Sequence, residues 1–215
     1  MSVNIHSNKR KNEDINDSSN KKYKDNSHCD EYNKIDIDGD KIYFYSSVNS
    51  NSIYRLVRLI RKINKDYVNK LSKVVDSKNV KFEPIYLHIQ SYGGSVLASM
   101  DAIDAILTSR IPIYTVIDGY AASAGTMISI VGKKRYMTKN SYMLVHELSS
   151  AMTGKMSQIE DDYMNCSLFM KRIRELYEKH TKLSGNKLKK LLKKDLWLPI
   201  EECIKYGLVD GEYKL

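Results

Sequence analysis

Two successive segments constrain this chain more than anything else in it. "PIYLHIQSYGGSVLASMDAIDAILTS" (84–109) runs from an apolar, β-branched stretch through a double glycine into apolar residues at helical spacing. "IPIYTVIDGYAASAGTMISIVG" (111–132) then repeats the same order. Strand, glycine turn and helix, twice in succession, predict parallel strands with right-handed crossovers. The chemistry of such sheets sits in the turns after the strands' carboxyl ends. The second segment is long enough to suggest a membrane span, but Pro112, Asp118, Gly119 and Gly125 interrupt it. Its β-branched first half also differs from its Ala/Gly/Met second half, so we read a buried strand, a turn and a buried helix.

The flanking sequence fits one domain. Residues 1–40 are polar and poor in apolar residues, which predicts a disordered or loosely attached tail before a folded domain over 41–215. "KIYFYSSV" (41–48) reads as the first strand, and 52–71 as a helix with Ile53, Leu56, Leu59, Ile60 and Ile63 on one face. "KRYMTKNSYMLVHE" predicts two short strands around a turn at Lys139 and Asn140, making a hairpin. A long helix is expected over about 155–182, with Ile159, Tyr163, Leu168, Ile173 and Leu176 on its apolar side. A lysine-rich helix near 187–194 and a last one ending at Gly207 complete the pattern.

Charge and cysteines narrow the setting. The first 40 residues carry seven Lys/Arg against nine Asp/Glu, so the net +9 of the chain resides in the rest. No aromatic-and-basic interleave marks a base-stacking surface, and we read the lysines as a solvated face, with no nucleic acid partner. Cys29, Cys166 and Cys203 are far apart and odd in number, which predicts neither a disulfide framework nor a metal pair. "MSVNIHSNKRKNED" lacks the apolar core of a signal peptide. We therefore expect an intracellular protein, cytoplasmic or, from the clusters at Lys9–Lys11 and Lys21–Lys24, nuclear.

The turns hold the candidate chemistry. Ser123 stands in "AASAG", where an apolar strand gives way to an apolar helix, and the alanines leave room for a substrate backbone. A serine there is equally well an N-cap or a nucleophile on this motif alone. A nucleophile needs a base. Of five histidines, His6 and His28 lie in the tail, His88 within a strand, His180 at the end of the long helix, and His146 at the exit of "SYMLV". A histidine at a strand end is more often structural than catalytic. Gly93 and Gly94 allow the backbone geometry of an oxyanion hole, though a bare double glycine is more often a plain turn.

Together these segments resemble the ClpP family, the proteolytic subunit of Clp proteases. "IYLHIQSYGGSVLASMDAIDAI" is similar to its strand, Ser-Pro-Gly-Gly turn and helix, and "GYAASAG" to its nucleophile segment. "NSYMLVHE" resembles its histidine strand and "IKYGLVD" its C-terminal signature, the match running in order over about 41–210. The resemblance implies an α/β fold, the ClpP/crotonase-like repeated β-β-α superhelix with a protruding handle helix. It implies Ser123 as nucleophile, His146 as base, and Asp195 in "KKDLW" as the orienting acid. It implies oxyanion donors at Gly94 and Ala124, and substrate contacts at Tyr92 and Gly93. It also implies hydrolysis of unfolded proteins or peptides without metal or organic cofactor, in a homo-oligomeric double ring of heptamers fed by an AAA+ ATPase unfoldase, with no membrane partner.

The chain departs from the family at several points. Tyr92 replaces the turn's proline, the segment between Ser123 and His146 is about two residues shorter, and "HELSSAMTG" (146–154) replaces the usual handle approach. No arginine-rich pore loop is recognisable in 1–40, and 67–83 lengthens the first helix-to-strand connection. These features keep open a catalytically silent assembly subunit. Of other members of the fold group, a Ser–Lys signal-peptide peptidase would need a buried lysine near Ser123 and usually a membrane anchor. An acyl-CoA-binding crotonase relative would keep the oxyanion hole but has no need of Ser123, His146 and Asp195 together.

Overall fold

The computed structural model describes residues 33–71 and 83–214. At its centre lie β3 (Ile85–Ser91) and β4 (Ile113–Ala122), the two apolar runs of the repeat. They pair in parallel, Ile85 opposite Ile113 and Ile89 opposite Ile117. Ile85, Leu87, Ile89, Ile113, Val116 and Ile117 are all buried, as near-continuous apolar runs in parallel strands should be. β2 (Lys41–Tyr45) pairs in parallel with the other side of β3. β1 (Lys34–Asp38) returns antiparallel to β2 through a turn at Gly39, whose φ is 60°.

β1 falls inside the stretch expected to be a loose tail, so the sheet begins before Lys41. The aspartates of "KIDID" concealed it. Only Ile35 faces the core, and Asp36 and Asp38 point to solvent on an edge strand, where charge blunts unwanted pairing. Residues 1–32, with both basic clusters, His6, His28 and Cys29, lie outside the described residues. So does most of the lengthened connection, 72–82.

Three crossover helices cover one face of the sheet. α1 (Ser50–Leu71) buries Ile53, Leu56, Val57 and Ile60, the face expected from its periodicity. α2 (Val96–Leu107) packs between α1 and α3 (Ala124–Ser129). The opposite face carries a row of tyrosines, with ring centroids 5.7 Å apart for Tyr86 and Tyr114, 6.3 Å for Tyr114 and Tyr136, and 6.2 Å for Tyr136 and Tyr213.

The expected hairpin is absent. β5 (Lys134–Met137) and β6 (Tyr142–Leu144) do not pair with each other; both add in parallel to β4, β5 along Tyr114–Ile117 and β6 along Tyr120–Ala122. Between them β4 kinks at Gly119, with φ 75°. Ser141 bridges the kink: its Oγ accepts from the Gly119 N–H at 2.7 Å and donates to the Ile117 carbonyl at 3.1 Å. The chain thus steps past the kink and rejoins the same strand. β6 also pairs antiparallel with β7 (Trp197–Leu198), and β5 in parallel with β8 (Gly211–Glu212).

α4 (Met156–His180) has two parts. Ile173, Leu176 and Tyr177 are buried, whereas Met156, Tyr163, Met164 and Leu168 are exposed. The apolar side read from the sequence therefore packs on the domain only over the last two turns, and the remainder projects. α5 (Gly185–Leu192) and α6 (Ile200–Tyr206) follow, α6 ending as expected at Gly207 in the left-handed region, φ 68°. Among the described residues no helix is long and apolar enough to cross a membrane.

Candidate active site

The last ladder bond of β4 decides what Ser123 can be. Ala122 stands opposite Leu144 of β6, and the Ser123 N–H donates to the Leu144 carbonyl at 2.9 Å. The chain then turns sharply, with Ser123 at φ 54° and ψ −126°. It is the one non-glycine residue with positive φ among the described residues. Such a conformation costs on the order of 1–3 kcal/mol and persists only where its surroundings enforce it. The Ser123 side chain makes no capping hydrogen bond. Ser95, ahead of α2, shows what capping looks like: φ −65°, with Oγ accepting from the Ala98 N–H at 3.1 Å. The two serines, equivalent by position in the repeat, are thus in different states.

The β6–β7 register brings the second and third residues together. Met143 is opposite Leu198 and Leu144 opposite Trp197. Continued two residues further, this antiparallel register sets His146 across from Asp195, and Nδ1 of His146 lies 3.2 Å from Oδ1 of Asp195. A bond from the Glu147 N–H to the Leu192 carbonyl, 2.8 Å, ties the loop after β6 to the end of α5. The His146 side chain is 27% exposed and that of Asp195 81%. A contact so exposed adds little stability; it engages the imidazole through Nδ1 and leaves Nε2 as the other ring nitrogen.

The double glycine closes against both sides. The Val48 N–H donates to the Gly93 carbonyl at 2.8 Å, and the Ser95 N–H to the Val48 carbonyl at 2.7 Å. This bridge uses the groups flanking Gly94, so the Gly94 N–H points away from Val48. A Cβ on Gly94 would come within 2.3 Å of the Val48 oxygen. A Cβ on Gly93 would lie 2.7 Å from the Cβ of Ser123 and 2.9 Å from the Ala124 nitrogen. Gly93, at φ 91°, is therefore pressed directly on the candidate nucleophile. Ala124 opens α3, so its N–H has no partner within the helix.

A second histidine–aspartate pair lies on the tyrosine face. Nδ1 of His88 is 2.7 Å from Oδ2 of Asp118, which also accepts from the Tyr45 hydroxyl at 2.6 Å. Burial first, and then Asp118, push the Tyr45 phenol well above its usual range. The pair is tighter than His146–Asp195, but His88 Nε2 is buried without a hydrogen-bond partner.

An aromatic collar lies beside the site, and sequence reasoning singled out only its Tyr92. Tyr92, Tyr120, Tyr142 and Trp197 line a hollow of about 360 Å³ with Gly119. Tyr92 and Tyr120 have centroids 4.3 Å apart, and Trp197 stands 6.3 Å from Tyr120. Tyr120 also raises the Tyr92 phenol above its ordinary value. The signal was period two: Trp197 follows Asp195, and Tyr120 precedes Ala122, at strand spacing. Val48, which positions Gly94, gave no signal. A larger hollow of about 570 Å³ lies against α1, where Arg55, Arg58, Arg61, Lys62 and Lys65 make an open basic surface without a nucleophile.

The sequence matches the family model of Clp protease over residues 39–212. It is also similar to the ATP-dependent Clp protease proteolytic subunit 2 of Treponema pallidum (strain Nichols). The two are 28% identical over 175 residues, covering 80% of this chain and 87% of that relative.

Proposed function

Because the chain belongs to the Clp protease family, we propose that it is a serine endopeptidase in which Ser123, His146 and Asp195 act as a catalytic triad. The observation that carries this reading is the geometry at two strand ends. Ser123 is strained and uncapped at the end of β4. Two residues beyond the adjoining β6, His146 is held through Nδ1 by Asp195 at 3.2 Å. Nε2 of His146 takes the Ser123 proton as Oγ bonds to a peptide carbonyl carbon. The N–H groups of Gly94 and Ala124 bind the oxygen that becomes negative. The proton then passes to the leaving amine, and water, deprotonated by His146, hydrolyses the acyl-enzyme. Tyr92 and Gly93 flank the bound chain. No step calls for a metal or an organic cofactor.

The substrates are unfolded proteins or peptides, which alone can thread into a closed chamber of a homo-oligomer, one or two rings of seven. The exposed half of α4, with Tyr163 and Leu168, supplies a ring-to-ring contact. The name of the Treponema relative describes that protein as ATP-dependent, which supports an AAA+ unfoldase as partner here.

The test is labelling by a fluorophosphonate probe, with casein and short peptides as substrates. Wild type should label and cleave, and Ser123→Ala should do neither; equal labelling of both proteins sinks the proposal. The 81% exposure of the Asp195 side chain favours a second reading, a family subunit that assembles without turnover. Rings that form but never label or cleave, alone or with an unfoldase, decide for it.

A further inference from the structure

The carbonyl of Ser123 and the N–H of Ala124 belong to one peptide unit. A trans peptide is planar and its C=O and N–H point in opposite directions, so holding one aims the other. Ser123 is outside helical geometry at φ 54°, and α3 has only six residues.

The Ser123 carbonyl is nevertheless closely held. It accepts from the Thr126 N–H at 3.0 Å and the Met127 N–H at 3.4 Å. It also accepts from the Thr126 hydroxyl at 2.6 Å. A threonine bonding back to the carbonyl three residues earlier is common in helices. The uncommon part is the next link. The Tyr177 hydroxyl of α4 lies 2.5 Å from the Thr126 Oγ1. The threonine's single proton goes to the carbonyl, which can only accept, so Tyr177 donates to Thr126. Tyr177 is 1% exposed and Thr126 fully buried. Burial pushes the Tyr177 phenol well above its usual range, so it remains a proton donor.

We propose that Thr126 and Tyr177 are positioning residues that aim the Ala124 N–H at the developing oxyanion. Tyr177 fixes the Thr126 rotamer, Thr126 pins the Ser123 carbonyl, and the planar peptide turns the Ala124 N–H to the opposite side, where the substrate oxygen comes to lie. The inference rests on the peptidase reading above. The oxyanion exists only in the transition state, so a loosened donor lowers kcat and spares KM.

The experiment compares wild type with Tyr177→Phe, Thr126→Val and Thr126→Ser, using a fluorogenic peptide and a peptide boronic acid that forms a tetrahedral adduct. Tyr177→Phe and Thr126→Val break the relay from opposite ends while keeping side-chain volume. Each should lower kcat about tenfold, less than the roughly 10²–10³ lost when an oxyanion donor is removed outright. KM should stay within about twofold, and boronate affinity should fall by the same factor as kcat. Thr126→Ser, which keeps the hydroxyl, should restore both. Wild-type values in Tyr177→Phe and Thr126→Val overturn the proposal. So does a kcat loss that leaves boronate affinity unchanged or that Thr126→Ser does not restore. A wild type that neither labels nor cleaves overturns the peptidase reading itself, and this inference with it.

Discussion

His146 and Asp195 face each other across the continuation of the β6–β7 ladder, Nδ1 to Oδ1 at 3.2 Å, with the aspartate side chain 81% exposed. A triad acid is valued for holding the right tautomer, and that needs geometry more than burial. Water around Asp195 weakens its hold. We therefore expect Asp195→Asn to lower kcat on the order of 10²-fold, short of the roughly 10⁴-fold known for a buried triad aspartate. Steady-state peptide hydrolysis measures it, and an unchanged kcat would remove Asp195 from the mechanism.

The glycine turn makes a sharper prediction about structure. Gly94→Ala places a Cβ 2.3 Å from the Val48 oxygen, at φ 143°. Backbone must move, so stability should fall by more than about 2 kcal/mol and labelling of Ser123 should be lost. At Gly39, also at positive φ, nothing lies within 4 Å of the added atom. Gly39→Ala should cost about 1 kcal/mol and leave labelling intact. Urea unfolding and probe labelling, run side by side, separate the two effects.

The projecting half of α4 should matter for assembly rather than for the fold. Tyr163 is 67% and Leu168 61% exposed, so replacing both with glutamate removes no core contact. We expect the thermal transition of the double variant to match wild type and its sedimenting species to be smaller. An unchanged sedimentation profile rules this face out as a subunit contact.

His180 gives a pH dependence of stability with a definite sign. Burial, and then the charges of Lys179 and Arg135, hold its imidazole below the ordinary 6.5. Its Nε2 is buried without a hydrogen-bond partner. The unfolded chain therefore binds a proton at His180 more readily than the folded one, and stability is lost as pH falls through about 6.5. Urea midpoints between about pH 7 and pH 5 should fall less steeply in His180→Gln than in wild type. Parallel slopes would show that His180 does not report its surroundings in this way.

The repeated strand–glycine–helix pattern was legible because it is local. β3, β4, α2 and the helical face of α1 follow from periodicity and from where the glycines fall. The family motifs then named the candidate residues at Ser123, His146 and Asp195. Local reasoning failed where pairing is long-range. It expected β5 and β6 to pair with each other, whereas the kink at Gly119 and its bridge through Ser141 return both to β4. It treated the stretch containing β1 as tail, because an edge strand can carry aspartates that an inner strand cannot.

What the sequence determined, then, is which residue types occupy which turns, since alternation, helical spacing and glycine are properties of neighbours along the chain. What only the tertiary structure decided is the state of each group. An N-cap serine and a strained, uncapped serine read alike; the distinction at Ser123 came from β6, whose Leu144 carbonyl takes the Ser123 N–H, and from Gly93 pressed against its Cβ. Likewise the link from Tyr177 through Thr126 to the Ser123 carbonyl joins residues far apart in the chain. Dihedral strain, register and buried hydrogen bonds depend on which distant backbone lies alongside, and that is fixed only when the sheet and its helices pack together.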